Sequence, residues 1–282
     1  PKVAMKVDSD GAYEKYAFPT AVAMPRKFGD ERVPTGIDVN AVYNVENQTY
    51  ELTLEFRGEL LQDARAYSLE QIVREAALSA VMYPDYQMSQ AIINGATSGY
   101  NAYDGNTFYG DTHLFAKAGS SNIDNKLGGS GTSVTQLRTD LAAAIAALRT
   151  YKDNAGRLIN PIMAEGKDQL VVHCPAAMEL DFRTVLNTAW SPVLSGSPGQ
   201  NVMQGIADIL PDGYRTDAND WDLHYTGLPL KPFLYQERQP LVAGVLGFDS
   251  EHYKKTQKVM IHATMRFAIA YMAFYRSVRT TN

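Results

Sequence analysis

The stretch IDVNAVYNVENQTYELTLEFR, residues 37–57, sets the tightest limit on the fold. Ile37, Val39, Ala41, Tyr43 and Val45 alternate with Asp38, Asn40, Val42 and Asn44. After the turn ENQ at 46–48, Tyr50, Leu52, Leu54 and Phe56 alternate with Glu51, Thr53, Glu55 and Arg57. A period of two sends successive side chains to opposite faces. Two such arms across a short turn predict a long β-hairpin. An isolated hairpin is marginal in water, so its apolar face needs cover from the rest of the fold or from another chain. The substitutions Leu54→Asp and Phe56→Asp are then expected to harm assembly more than subunit folding.

What flanks this segment reads as one large domain or two modest ones. The chain has 282 residues, 45% hydrophobic and 20% charged, enough for a substantial core. Residues 1–36, broken by Pro19, Pro25 and Pro34, read as an irregular arm, either a disordered tail or a segment that docks on a neighbouring subunit, the latter favoured. Ser68 and Gln71 form a capping box for a helix carrying Leu69, Ile72, Val73, Ala76, Ala77 and Ala80, kinked or broken near Pro84 and ended by Asn94-Gly95. Residues 95–132 read as loop with short strands, and GGSGTS (128–133) as a connector. It lacks the lysine and preceding strand of a phosphate loop.

A second helix is predicted over 134–151, capped by Ser133 and Gln136, with the apolar stripe Leu137, Leu141, Ala144, Ile145 and Leu148. QLVVHCP (169–175) reads as a buried strand, and Pro175 as the opening of a helix over 176–188. SPVLSGSPGQN (191–201) is a loop, and GIADILP (205–211) and DWDLHYT (220–226) are strands. The block from about 134 to 222 thus reads as an α/β unit of its own. KPFLYQER (231–238) is a further strand. The apolar run within 256–279 is either a strand buried on both faces or a buried helix, which periodicity leaves open.

The cluster YDGNTFYGDTH, residues 103–113, gathers Asp104, Asp111 and His113 and so offers a metal-binding or catalytic reading. Asp-Gly is also a strong turn signal, and the structural reading explains the same residues without a third ligand from elsewhere. His173, His224, His252 and His262 stand alone in the sequence. His173 and Cys174, adjacent on a strand, point to opposite faces and cannot act as base and nucleophile; Cys174 reads as a core residue. Asp220 and Asp222, flanking Trp221, share one face and read as a solvated edge. No GxSxG, HExxH, CxxC or dinucleotide-binding fingerprint occurs, so no catalytic, cofactor or metal residue is assigned.

Charge and cysteine content narrow the setting. A formal net charge of −5 argues against wrapping a nucleic-acid backbone, yet suits a surface that encloses nucleic acid without gripping it. One cysteine excludes an intrachain disulfide framework. The longest apolar run, FAIAYMAFY (267–275), is far short of the ~20 residues that span a bilayer. No signal peptide is expected, and Pro1 in place of methionine implies processing or trimming.

The order of arm, long hairpin, long helix, central α/β block and closing strands resembles the HK97 fold of tailed-phage major capsid proteins, and within it the Mu-like major head subunit family. The resemblance is carried by RGELLQDARAYSLEQIVREAA (57–77), YDGNTFYGDTH (103–113), LVVHCPAAMEL (170–180), KPFLYQERQP (231–240) and DSEHYKKTQKVMIHATMRFAIAYMAF (249–274). It implies an α+β fold with an N-terminal arm at 1–36, an E-loop hairpin at 37–60 reaching over a neighbour, and a peripheral domain with the spine helix at 61–133. An axial domain at 134–225 and a return to the peripheral domain at 226–282 complete it. It also implies a structural role rather than an enzymatic one: pentamers and hexamers closing into an icosahedral shell around double-stranded DNA in a virion. A scaffold, a portal and a decoration protein would be partners, with no cofactor and no membrane. No lysine lies between Lys27 and Lys117, so a covalent crosslink from the E-loop is not expected. Two other readings remain: a nanocompartment shell of the same fold that packages protein, and a metal-dependent enzyme using Asp104, Asp111 and His113.

Overall fold

A computed structural model describes residues 2–19, 39–63, 66–115, 122–161, 163, 166–191 and 199–282. Residues 20–36 of the arm and most of the 191–201 loop lie outside them. The chain runs through β1 (Ala4–Asp8), β2 (Tyr13–Pro19), β3 (Val39–Glu46), β4 (Gln48–Arg57), α1 (Gly58–Asp63) and α2 (Ala66–Asn94). It continues through β5 (Lys126–Gly128), α3 (Val134–Thr150), β6 (Leu170–Pro175), α4 (Glu179–Asn187), β7 (Trp190–Ser191), β8 (Gly199–Gln200), β9 (Asp208–Asp212) and β10 (Trp221–Tyr225). It ends with β11 (Phe233–Leu246), α5 (Glu251–Thr256), β12 (Lys258–Tyr271) and β13 (Ser277–Thr281).

The predicted hairpin does not form. Both strands exist, but β3 pairs antiparallel with β2, and β4 with β12, from Gln48 against Phe267 to Arg57 against Lys258. The reason lies in the supposed turn. β3 ends at Glu46 and β4 begins at Gln48, so Asn47 alone joins them, and one residue cannot reverse a strand. Asn47 is instead buried between sheets. Its Nδ2 donates to Ser9 Oγ at 2.9 Å and to Gly11 O at 3.0 Å, and its Oδ1 accepts from Gln236 Nε2 at 2.9 Å. The period-two pattern was real; the partner was distant in sequence.

Two sheets carry the fold. The first has the order β1-β11-β12-β4, with α2 lying against β12. The strand reading prevails over a helix: β12 pairs with β11 up to Tyr271, and its residues 267–271 are largely buried on both faces, which accounts for their continuous apolar run. Strand β11 runs past the predicted Arg238 to Leu246; register shifts between Glu237 and Val242 absorb Pro240, which has no N–H for a ladder. The second sheet has the order β5-β13-β10-β6-β9, with α3 against β13 and β10 and α4 against β9. It draws β5 and β13 from outside 134–225, so that block does not close on itself.

Each helix reads back to its sequence. In α3 the expected stripe Leu137, Leu141, Ala144, Ile145 and Leu148 is buried, and Gln136 Oε1 accepts from the Ser133 N–H at 3.2 Å. Buried Asp140 accepts from Ser130 N at 2.9 Å and Ser130 Oγ at 2.8 Å, fastening the connector GGSGTS. Helix α2 starts at Ala66, ahead of the expected cap, and continues through Pro84. At its middle, Tyr83 meets Tyr50 at 5.2 Å between ring centroids, and Tyr50 stacks on Phe267 at 4.5 Å. Its outer flank stays bare: Leu78 is 54% exposed and Val81 63%.

Candidate functional site

The segment 103–113 is a fastened loop. Gly105 takes φ +92°, the turn that Asp-Gly chemistry predicts. Asp104 Oδ1 accepts from Asn106 N at 3.1 Å, and its Oδ2 accepts from Leu114 N at 3.3 Å. His113 lies 2.7 Å from Asp104 Oδ2 through Nδ1 and 3.1 Å from Phe108 O through Nε2, with its ring stacked on Phe274 at 4.1 Å. Both ring nitrogens therefore face oxygen acceptors. Asn125 completes the clasp: its Nδ2 donates to Phe108 O at 2.8 Å and Phe274 O at 3.2 Å, and its Oδ1 accepts from Gly110 N at 2.9 Å. Asp111 is exposed and lies outside this cluster. The structure therefore unites Asp104 with His113 but not Asp111, and uses them to hold the loop. His113→Ala is expected to destabilise the chain by about 1–3 kcal/mol, because the buried Asp104 carboxylate and its loop lose a hydrogen-bond partner and the ring stacked on Phe274 is removed. Urea denaturation measures this; an unchanged midpoint would contradict the clasp.

The second concentration of charge is where α2 meets the five-stranded sheet. Its centre is Asp222 on β10, 0% exposed. Arg215 Nη1 donates to Asp222 Oδ2 at 2.6 Å; Arg279 of β13 donates through Nε to Oδ1 at 2.6 Å and through Nη2 to Oδ2 at 3.2 Å. His173 of β6 stands between two carboxylates, with Nδ1 3.3 Å from Asp222 Oδ2 and Nε2 3.0 Å from Asp212 Oδ2. The sheet delivers these side chains together: β10 pairs with β13, Asp222 opposite Arg279, and with β6, Asp222 opposite His173.

The same network holds the end of α2. Arg279 donates to Ile92 O at 2.7 Å and Ile93 O at 2.9 Å, carbonyls in the last turn of the helix; Ile92 O also accepts from Gly95 N at 3.2 Å. Its guanidinium also lies 4.2 Å from the Tyr109 ring centre. Asp212 takes the Ser89 hydroxyl of α2 and the Tyr214 N–H, the latter at 2.8 Å. His224 reaches Ser277 Oγ at 2.9 Å, and Ser277 donates to Tyr109 Oη at 3.0 Å.

The electrostatics follow from burial and partners. Burial pushes the Asp222 carboxyl up, but Arg215 and Arg279 outweigh it and hold it well below the usual carboxylate range. Burial likewise opposes the charged form of Asp212, yet bonds from His173 and Ser89 bring it to about 2. For His173, burial works against the charged ring, and the bonds to Asp212 and Asp222 win, leaving its pKa raised. His224, 6.1 Å away between ring centres, goes the other way: burial lowers it to about 3. His173, Asp222 and His224 present atoms within 4.8 Å of one another, a spacing a cation could use. The donor set does not fit one. Asp222 is already shared between two guanidiniums, and Arg215 Nη1 also stands 3.4 Å from His173 Nδ1, so positive charge already occupies the place a cation would take. This is an ion-pair network.

Sequence reasoning missed this junction. Asp222 is not on a solvated edge but on an interior strand, buried at every position. Asp220 sits apart, half-buried, accepting from Asn282 N at 3.1 Å. His173 and His224 do not stand alone. The signal available was Asp222 and His224, two apart on an otherwise apolar strand, hence on one buried face. Cys174 is buried as expected, its thiol pushed up to about 12 by burial.

Comparison with known proteins shows what the chain is similar to. Residues 1–135 match the Mu-like prophage major head subunit gpT family. No curated protein matches the chain in sequence. In structure, the procapsid of bacteriophage JBD30 aligns with TM-score 0.53 at 16% identity over 100% of this chain and 67% of that one. The capsid of cyanophage P-SCSP1u aligns with TM-score 0.59 at 10% identity over 99% and 86%. Mycobacterium phage Che8 aligns with TM-score 0.51 at 14% identity over 96% and 85%. The chain spans about two thirds of the JBD30 chains, 67% in the procapsid and 63% in the capsid. Residues 1–135 are thus similar to the Mu-like prophage major head subunit gpT family, and the chain has the HK97-like fold seen in tailed-phage capsid structures.

Proposed function

We propose that the chain is the major capsid protein of a tailed phage or prophage, assembling into pentamers and hexamers of an icosahedral shell around double-stranded DNA. The observation that carries this reading is the match of capsid folds along 96–100% of the chain, joined to a major-head-subunit match over residues 1–135. The surface supports it. Leu78, Val81 and Met82 on α2, Val242 and Val245 on the far half of β11, and Phe248 in the turn that follows it are exposed apolar side chains, as expected of contacts made between copies. No helix among the described residues is long and apolar enough to cross a membrane.

In this reading α2 and the β1-β11-β12-β4 sheet form the peripheral unit, and the five-stranded sheet with α3 and α4 forms the axial unit. The role of reaching over a neighbour passes from residues 37–60 to the β2–β3 pair. Scaffold, portal and decoration proteins would be partners, and the virion its destination. The test is expression of the chain, with its scaffold where needed, followed by electron microscopy and nuclease digestion. Closed shells that protect DNA are expected. Monomers alone at high concentration would sink the proposal, and shells that never protect DNA would favour a protein-packaging compartment.

A further inference from the structure

We propose that His173 is a proton-operated bolt between α2 and the five-stranded sheet: with both ring nitrogens protonated it ties Asp212 to Asp222, and without one proton it holds only one of them and loosens the end of α2. The inference concerns the subunit's own internal hinge and does not depend on shell formation.

The geometry isolates His173 as the joint. Asp212 holds the helix through Ser89, and Asp222 holds it through Arg279, whose guanidinium grips Ile92 O and Ile93 O. His173 is the side chain that touches both carboxylates. A neutral imidazole has one N–H, and ionised carboxylates only accept, so loss of the proton leaves one carboxylate facing a lone pair in a buried space. The ring is 2% exposed, so water does not readily replace the lost donor.

Every group facing His173 bears on the direction. From β9 comes Asp212; from the segment after it, Arg215, whose Nη1 lies 3.4 Å from Nδ1; from β10, Asp222 and His224; from β13, Arg279; from α2, Ser89. Beyond Arg279 lies Tyr109, and next along β6 is Cys174. Asp212 at about 2, His224 at about 3 and Cys174 at about 12 change charge far to either side, whereas His173 changes charge above its ordinary 6.5. Its folded pKa is raised above the ordinary 6.5, so its contribution is complete below 6.5 and is lost as pH rises through the folded value. His224 opposes this only on the acid side, where the unfolded chain binds a proton the folded chain refuses until about pH 3. The bolt therefore opens toward alkaline pH.

The full chain labelled with nitrogen-15 histidine tests this, because its five histidines can be followed through a titration. His173 is expected to keep imidazolium signals above the pH at which exposed histidines lose theirs. Amide exchange, corrected for intrinsic rates, is expected to lose about tenfold protection at 88–94 between about pH 6 and pH 9, while α3 is unchanged. His173→Gln should hold low protection at every pH. Should that variant fail to fold, Asp212→Asn serves instead, and its transition should shrink and shift to lower pH. Constant protection in the unaltered chain, or the same fall in His173→Gln, would overturn the proposal.

Discussion

Asp222→Ala is expected to cost about 3–5 kcal/mol, because it leaves two guanidiniums and an imidazolium buried without their shared counter-charge. At about 2–4 °C per kcal/mol for a chain of this size, the melting temperature falls by roughly 10 °C. The effect should exceed that of removing a hydrophobic neighbour of similar volume, because Arg215 and Arg279 are 6% and 3% exposed and cannot turn to water without disturbing the sheet. Loss of Asp222 also frees the Arg279 side chain that holds the Ile92 and Ile93 carbonyls. The isosteric Asp222→Asn keeps one acceptor but no charge, so most of the loss should remain. Calorimetry on the isolated subunit measures it. A cost under about 1 kcal/mol would mean that the network is not a stability element.

How far the sequence discloses such a site depends on how far apart its parts lie in the chain. Period two named β4 correctly, because Tyr50, Leu52, Leu54 and Phe56 mark one face whatever strand lies alongside. It gave no information on the partner, and β12 lies some two hundred residues away. The capping box of α3 and the turn at Asp104-Gly105 were legible because each is local chemistry among near neighbours. The charge junction was not, because it is assembled from β6, β9, β10, β13 and α2. Each charged residue was met singly, where solvent is the cheaper explanation for an aspartate. Asp222 becomes intelligible only once strand pairing sets it opposite both Arg279 and His173.

The structure also moves the most informative assembly variant from β4 to α2. Leu54 and Phe56 are half-buried and stand opposite Ile261 and Val259, so aspartate there would strike the sheet as well as any contact between copies. Leu78, Val81 and Met82 follow helical spacing, form one stripe, and are 54%, 63% and 48% exposed. A single subunit gains little from them, so the double variant Leu78→Asp and Val81→Asp should cost within about 1 kcal/mol of subunit stability, mostly helix propensity. If the stripe is covered in the shell, the two carboxylates must enter an apolar contact without partners, and symmetry repeats that penalty at every copy. Particle yield at fixed protein concentration should fall more than about tenfold, the change that about 1.4 kcal/mol per contact already produces. Sedimentation velocity of folded variant subunits reads this directly: a slow, uniform subunit peak with native circular dichroism supports the buried stripe, whereas shells at the unaltered yield would place α2's outer flank on the shell surface.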